Sequence, residues 1–512
     1  MEVFTHIFTF NNILMMNIGI AVGIIIGAMP GLSVAFAVTV LMTMTFHMES
    51  LPAMYLLLGA YCGGLYGGSI TATLINTPGT ANAVCTALEG YPLARKGRAG
   101  DSLKCALVAS TIGGLFSCFC LLFFAPQLAK VILKIQSPEY FALCVFGIFA
   151  AIGLEGNSLD NIFRGLLSAA FGLLLSCVGA DPCFGTNRFS FNSFYMLSGI
   201  KVVSSMLGAY ALCQVLVNCR DVYVKGDEAL KVPKVDKAGM KILDILKYWR
   251  LILKSSIIGA LVGAVPGTGG AESAMIAYNE AKRTSKHPEE FGNGAIEGVL
   301  AAESANNATS GGAMIPMLTL GIPGDTVMAI LLSALTMQGI TPGANLFTSS
   351  SYWVNAVMIG LIIINVFMFV QGNLCVNLFA KVAKIPQSIM TPCIIVMCVM
   401  GSFAINNNIF ECFVMAVFGI IGYFMKKFGF PVTPLCISLV LGNMCEINLR
   451  RSLTLSRYNP FVFFTRPISC IILILAVFML FFPIISGALS RGKIKKAAEK
   501  GREEFVKDNI EK

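Results

Sequence analysis

The residues able to do chemistry in this 512-residue chain gather around proline–glycine pairs. Ser69, Thr71, Asn76 and Thr80 surround Pro78-Gly79, and Thr268 and Gly269 follow Pro266-Gly267. Glu303, Asn306 and Asn307 precede Gly311-Gly312, and Asp325 follows Pro323-Gly324. Hydroxyls, carboxamides and isolated carboxylates of this kind hold ions and small solutes. Taken singly, each Ser, Thr or Gly is accounted for by close helix packing in lipid. What argues for a site is recurrence: polar residues flank one break after another. No Ser/His/Asp or Cys/His arrangement is visible, and the three histidines are scattered. The 17 cysteines form no CxxC pair or metal-spaced cluster, and a Walker-type phosphate loop is missing. The chain therefore reads as a non-enzyme that binds ions or solutes, with no metal centre and no organic cofactor.

The elements that must position these residues are transmembrane helices. The chain is 56% hydrophobic and 12% charged, a composition that leaves too little polar surface for a soluble domain of this length. Many apolar runs are long enough to cross a hydrocarbon core of ~30 Å as helix, and in lipid the helix satisfies its own backbone hydrogen bonds. The alternation of a transmembrane barrel is absent. The formal charge of +10 sits in short loops and the tail, which fits cytoplasmic loops rather than nucleic-acid binding. The N-terminus lacks the pattern of a cleaved signal peptide.

Several runs are broken rather than simple. The run 12–46 is interrupted by Met29-Pro30-Gly31, 251–280 by Val265-Pro266-Gly267 and 294–338 by Ile322-Pro323-Gly324. Proline removes a helix hydrogen bond and glycine tolerates the bend. Broken helices in a membrane are found where they line a polar cavity. Their free N-termini suit anions, and unwound carbonyls suit a cation. Glu303 and Asp325, acidic within apolar runs, are the first candidates for the coupling ion or a proton.

An internal repeat organises the breaks. GIAVGIIIGAMPGL (19–32) is similar to GALVGAVPGTGG (259–270), and YGGSITATLINTPGTANA (66–83) to SGGAMIPMLTLGIPGDTVMA (310–329). The loop after the second break is basic in the first half (91–104) and uncharged in the second (340–353), so the positive-inside rule puts them on opposite sides of the membrane. The expected fold is thus an all-α integral membrane protein, a polytopic bundle of two inverted repeats with broken or re-entrant helices. The expected units are a first repeat at 12–217, a cytoplasmic linker at 218–254, a second repeat at 255–490 and a charged cytoplasmic tail at 491–512. Within the linker, Lys241, Asp244, Lys247 and Arg250 oppose Ile242, Leu246, Trp249 and Leu253, which fits either a helix in the membrane interface or a plain helical linker. Arg450 and Arg451, beyond the run 431–445, have no place in this topology without a re-entrant segment.

The segments 65–103, 259–270 and 297–347, with further blocks at 178–191 and 422–453, closely resemble the large membrane subunit of the tripartite tricarboxylate transporter family. The resemblance covers residues 15–490. It implies a permease that works with a small four-helix membrane subunit and an extracytoplasmic solute-binding protein. It further implies import of an anionic, carboxylate substrate across the bacterial cytoplasmic membrane, driven by Na⁺ or H⁺. Ala302 and Ala344 stand where the family often has proline. The site expected on these grounds is Ser69, Thr71, Asn76, Pro78, Gly79, Thr80, Gly267, Thr268, Gly269, Glu303, Asn306, Asn307, Pro323, Gly324 and Asp325. A stand-alone carboxylate carrier is the alternative within transport. A membrane-embedded enzyme is disfavoured for want of a catalytic cluster, and a scaffold by the paired polar breaks.

Overall fold

The computed structural model describes residues 7–29, 32–155, 158–225, 238–266, 268–382, 387–404 and 407–481. The first half comprises α1 (Phe10–Gly27), α2 (Val34–Met42), α3 (Ser50–Ile75), α4 (Val84–Arg95), α5 (Ala99–Ile132), α6 (Ser137–Glu155) and α7 (Leu159–Ser176). Then α8 (Val202–Met206) passes through a π-helical stretch, Leu207–Leu212, into α9 (Cys213–Lys225). After a short α10 (Ile242–Leu246), the second half follows as α11 (Trp249–Gly263), α12 (Gly270–Thr284), α13 (Ile296–Leu320) and α14 (Thr326–Met337). It continues with α15 (Leu346–Ser349), α16 (Ser351–Val382), α17 (Gln387–Ala404), α18 (Ile409–Phe428), α19 (Val432–Leu455), α20 (Val462–Thr465) and an apolar helix α21 (Pro467–Phe481). Among the described residues seven helices are long and apolar enough to cross a membrane, so the chain is a polytopic all-α membrane protein.

Glycine sets the inner packing. A Cβ at Gly19, Gly23 or Gly27 of α1 would collide with the backbone of Leu56, Ala60 or Gly64 in α3, and Gly59, Gly63 and Gly67 of α3 meet α1 equally closely. Only hydrogen side chains let the two backbones touch, and this small-residue spacing is how helices associate where lipid removes the hydrophobic drive. The second half repeats the contact with fewer glycines: Gly259 and Gly263 of α11 abut Ala305 and Thr309 of α13, and Gly312 abuts Ala260. Gly67 and Gly312 hold equivalent places, each against the glycine-rich helix of its own half. The Gly-Gly pairs of the two halves are therefore matched one residue out of the register their sequences suggest.

The halves interlock reciprocally. α3 packs on α16 while α13 packs on α5, α2 meets α14 while α12 meets α4, and α7 packs on α19 while the π-helical stretch packs on α18. Tyr55 of α3 donates to the Ala356 carbonyl (2.8 Å), and Ser117 of α5 receives the Gly311 N–H (3.2 Å).

Two expectations about segments need correction. The amphipathic stretch in the linker is not one helix: α10 ends at Leu246, and α11 starts afresh at Trp249 and runs on to Gly263. The boundary expected between 254 and 255 therefore falls inside α11, whose apolar residues carry the helix on without a break. The tail 491–512 and linker residues 226–237 lie outside the described residues.

Arg450, unplaced from sequence, sits within α19 and is neutralised there. It bonds Asp181 (2.9 Å) and Glu446 (2.7 Å), while Arg188 grips both Glu446 oxygens (2.7 and 3.0 Å). Two arginines against two carboxylates leave this cluster with no net charge. Asp181 lies in the loop between α7 and α8 and also accepts from the N–H groups of Cys183 (2.8 Å) and Phe184 (3.3 Å). Those backbone donors first, then Arg450, hold its carboxyl below the usual aspartate range. Since the folded value is depressed, its contribution to stability is present above the unfolded value of about 3.9 and is lost as pH falls through the folded value. Thermal unfolding of the detergent-purified protein is expected to show a lower midpoint for Asp181→Asn at pH 7. The gap between variant and parent should narrow as pH falls from 4 towards 3, and a gap independent of pH would show that the carboxylate charge is not what ties this loop down.

Candidate functional site

The four breaks fall at matching places. α1 and α11 stop at Gly27 and Gly263, each capped by an alanine, Ala28 and Ala264. α3 and α13 each end on a left-handed residue, Asn76 (φ 53°) and Gly321 (φ 70°), and the chain then turns through Pro78-Gly79 and Pro323-Gly324. Both turns fold back on the helix that ended first. A Cβ at Gly79 would lie 2.0 Å from the Gly27 carbonyl oxygen, and one at Gly324 would lie 2.7 Å from Ala313 and 3.0 Å from the Gly263 oxygen. The Gly79 N–H donates to the Gly68 carbonyl (3.3 Å), and Thr268 donates to the carbonyls of Val265 (2.8 Å) and Val262 at the end of α11.

The chain resumes as helix after each break, and the restarted segments converge on one cavity of about 550 Å³. Its wall includes Ser33 at the start of α2, Thr80–Asn82 in the turn that leads into α4, Gly269-Gly270 at the start of α12 and Asp325 at the start of α14. These starts differ in what they leave free. The Ser33 hydroxyl accepts the Phe36 N–H (3.0 Å), and the Asp325 carboxylate accepts the Met328 N–H (2.7 Å). α12 has glycine at its N-cap position, with no side chain to accept from the first turn, while Glu272 reaches back to the Gly269 N–H (3.1 Å). The first helical N–H groups lack intrahelical partners and carry partial positive charge, so an uncapped start facing a cavity suits an anion.

Of the expected residues, Thr80, Gly269 and Asp325 line this cavity. Asn306 lies behind it: the Cβ position of Gly270 is 2.4 Å from Asn306 Oδ1 and from Asn82 Nδ2. Asn306 is fully buried, yet neither atom of its carboxamide has a hydrogen-bond partner, and the Thr71 and Thr80 hydroxyls are likewise buried and unpartnered. Buried polar groups are normally paired, and two of these, Thr80 on the cavity wall and Asn306 behind Gly270, stand at the cavity. Asn306 precedes Pro323 by the same interval as Tyr61 precedes Pro78, and Tyr61 has its partner, donating to Asp325 (2.8 Å).

The other expected residues do different things. Glu303 accepts from Thr86 and from Ser110 (2.9 Å), and Asn307 donates to Ser110 (2.8 Å), forming a separate buried cluster where α13 meets α4 and α5. Ser69 bonds the Tyr66 carbonyl in its own helix (2.5 Å), and Asn76 is exposed at the end of α3. Pro78, Gly79, Pro323 and Gly324 shape the turns. Gly267 lies outside the described residues.

Several cavity residues escaped the sequence reading. Ser33 carried a usable signal, a capping residue directly before an apolar run. Tyr61, Gln214 and Lys426 did not, because nothing local shows that three distant helices share a wall. Glu89 was missed as well. It is fully buried and accepts from Tyr278 (2.7 Å) and the N–H groups of Gly292, Gly294 and Ala295 (2.6–2.8 Å), stapling α4 to the loop before α13.

Paired broken helices around a polar cavity are the architecture of a membrane transporter. The comparisons with known proteins agree: the Tripartite tricarboxylate transporter TctA family model matches residues 13–437, and the chain belongs to that family. It is 36% identical over 462 residues to an uncharacterised 52.8 kDa protein from the TAR-I ttuC' 3' region of Agrobacterium vitis, covering 90% of this chain and 91% of that protein. A second uncharacterised protein, from the TAR-II ttuC' 3' region of the same organism, is 39% identical over 215 residues, 42% of this chain and 89% of its own length. No solved structure matches.

The turns have no room for a side chain. Gly79→Ala and Gly324→Ala are each expected to displace a break, lower the melting midpoint and reduce uptake by about tenfold or more, since misplacing a binding group by ~1 Å costs that order. Gly239→Ala is the control: its Cβ would meet only Asp101, at 3.8 Å. Normal uptake by both break variants would remove the turns from the site.

Proposed function

We propose that the chain is the large transmembrane permease subunit of a binding-protein-dependent secondary transporter that imports carboxylates, such as tricarboxylates, across the bacterial cytoplasmic membrane. The observation that carries this reading is the convergence of post-break helix starts on one cavity, with the start of α12 left uncapped. A carboxylate would take the N–H groups at α12, beside the unpaired Asn306 amide. Family membership supports the substrate class and the partners, a small four-helix membrane subunit and an extracytoplasmic solute-binding protein.

Ion coupling follows from charge. The cavity already holds Asp325, and Glu272 lies one turn into α12. Lys426 on the same wall offsets one of these carboxylates, so a substrate with two or more carboxylates still brings net negative charge that an accompanying cation would offset. Na⁺ or H⁺ fills that role, with Asp325 and the orphaned oxygens of Thr71, Thr80 and Asn306 as its nearest acceptors. The buried Glu303, Ser110 and Asn307 cluster is the second place a proton could reside.

The repeats are proposed to be inverted, spanning 12–217 and the region from α11 to 490. The packing supports this. Lys96 donates to the Asn293 carbonyl (2.7 Å), which brings the basic loop after α4 to the basic end of α12, while Gln338 donates to the Thr45 carbonyl (2.8 Å), which joins two loops poor in charge.

The test is uptake into proteoliposomes holding this chain and its small partner, with loaded binding protein added outside. An imposed Na⁺ or H⁺ gradient is expected to drive accumulation without ATP, and Asp325→Asn to reduce it at least about tenfold, the order expected for losing a charged hydrogen-bond acceptor. Uptake that needs ATP, or none without a gradient-independent energy source, would overturn the mechanism. Full uptake without the binding protein would favour a stand-alone carrier.

A further inference from the structure

One cation on the cavity wall has no carboxylate partner. Lys426 lies in the last turn of α18, lines the cavity and donates to the Gln214 side chain (2.8 Å). Gln214 in turn donates to Asn218 (2.9 Å), which fixes its carboxamide with the oxygen towards the lysine. No described acidic residue pairs with Lys426.

A lysine at a helix C-terminus is often explained by the helix dipole. Here that role is taken by others. Arg164 reaches across from α7 and donates to the carbonyls of Phe428 (2.9 Å) and Gly429 (3.4 Å), covering the end of α18, and Lys427 stands beside it facing outward. The ammonium of Lys426 is thus left as a held charge without a carboxylate partner, exposed on the wall of the cavity that the helix starts also line.

We propose that Lys426, positioned by Gln214, is a specificity residue: it receives a second carboxylate of a substrate whose first carboxylate sits at the start of α12. The inference rests on the carboxylate-transport reading and adds to it the residue that meets the second anionic group. The geometry gives two poles of opposite construction. One is a fixed set of backbone N–H groups beside Asn306 and Thr80, whose buried polar atoms lack partners. The other is the Lys426 ammonium, a point charge held on the cavity wall by Gln214. A monocarboxylate reaches one pole only and forfeits the second charge-assisted bond.

The experiment is ligand-induced thermal stabilisation of the full chain in nanodiscs at pH 7 with Na⁺ present, titrating butanoate, butanedioate and propane-1,2,3-tricarboxylate. The parent protein is expected to prefer the di- and tricarboxylate. Lys426→Gln should weaken these by about tenfold or more while leaving the response to the monocarboxylate within about twofold. Lys426→Arg, which keeps the charge, should restore the preference. Equal weakening of all three acids would show only a general field at the cavity and overturn the second pole, as would an unchanged Lys426→Gln. If neither the parent chain nor its assembly with the small subunit and a loaded binding protein responds to any of the three, the carboxylate reading itself fails. If the parent discriminates and the variant discriminates equally, only the role of Lys426 fails.

Discussion

Four helices stop and restart among packed apolar helices, and every backbone group they release has to find a partner where water is scarce. An unpaired N–H or C=O in such a medium costs several kcal/mol, roughly the margin by which a whole domain is stable. The turns are therefore built from whatever meets that demand locally. Thr268 covers the end of α11, Gly321 donates back to Met317 (3.1 Å), and Ser33 and Asp325 cap the helices that follow. Once these are in place, the start of α12 and the Asn306 carboxamide remain as the polar groups next to the cavity with least to do. The start of α12 and the Asn306 carboxamide are thus what the folding constraint leaves unsatisfied beside the cavity.

Close helix approach makes such turns possible. The turn at Gly79 stacks on the end of α1 and that at Gly324 on the end of α11, which requires each glycine-rich helix to lie backbone to backbone with the long helix behind it. The halves meet this requirement with different residues. The first uses glycine on both sides, Gly19, Gly23 and Gly27 against Gly59, Gly63 and Gly67; the second sets Gly259 and Gly263 against Ala305 and Thr309. What the second half gains is polarity: Thr309 bonds Ser273 of α12 (2.8 Å), tying the uncapped helix to α13. Divergence of this kind turns a repeated scaffold into an asymmetric site.

Much of this was legible in the chain. Pro-Gly pairs inside apolar runs can hardly be anything but breaks, and of the residues beside them Thr80, Gly269 and Asp325 line the cavity. The cavity's far wall was not legible. Gln214 and Lys426 stand on α9 and α18, helices distant in sequence that pack on each other directly and through the π-helical stretch, a contact with no local pattern. The place of Glu303 was hidden for another reason. An acidic residue in an apolar helix invites a functional reading, yet Thr86 and Ser110 satisfy it away from the cavity, and sequence does not show which face of α13 it occupies.

The contrast between Tyr61 and Asn306 carries the asymmetry into mechanism. The two hold equivalent positions on α3 and α13, and each points towards the restart of a broken helix in the other half. Tyr61 is bonded to Asp325, so that contact links the halves directly and needs no ligand. Asn306 stands beside Asn82 and Gly270 with its bonds unmade. A bound solute or ion completing those bonds would join the halves at the second point as the tyrosine does at the first. Substrate occupancy then becomes a structural contact between repeats, and the affinity difference between conformations that any coupled carrier needs arises where one half holds the other through its cargo.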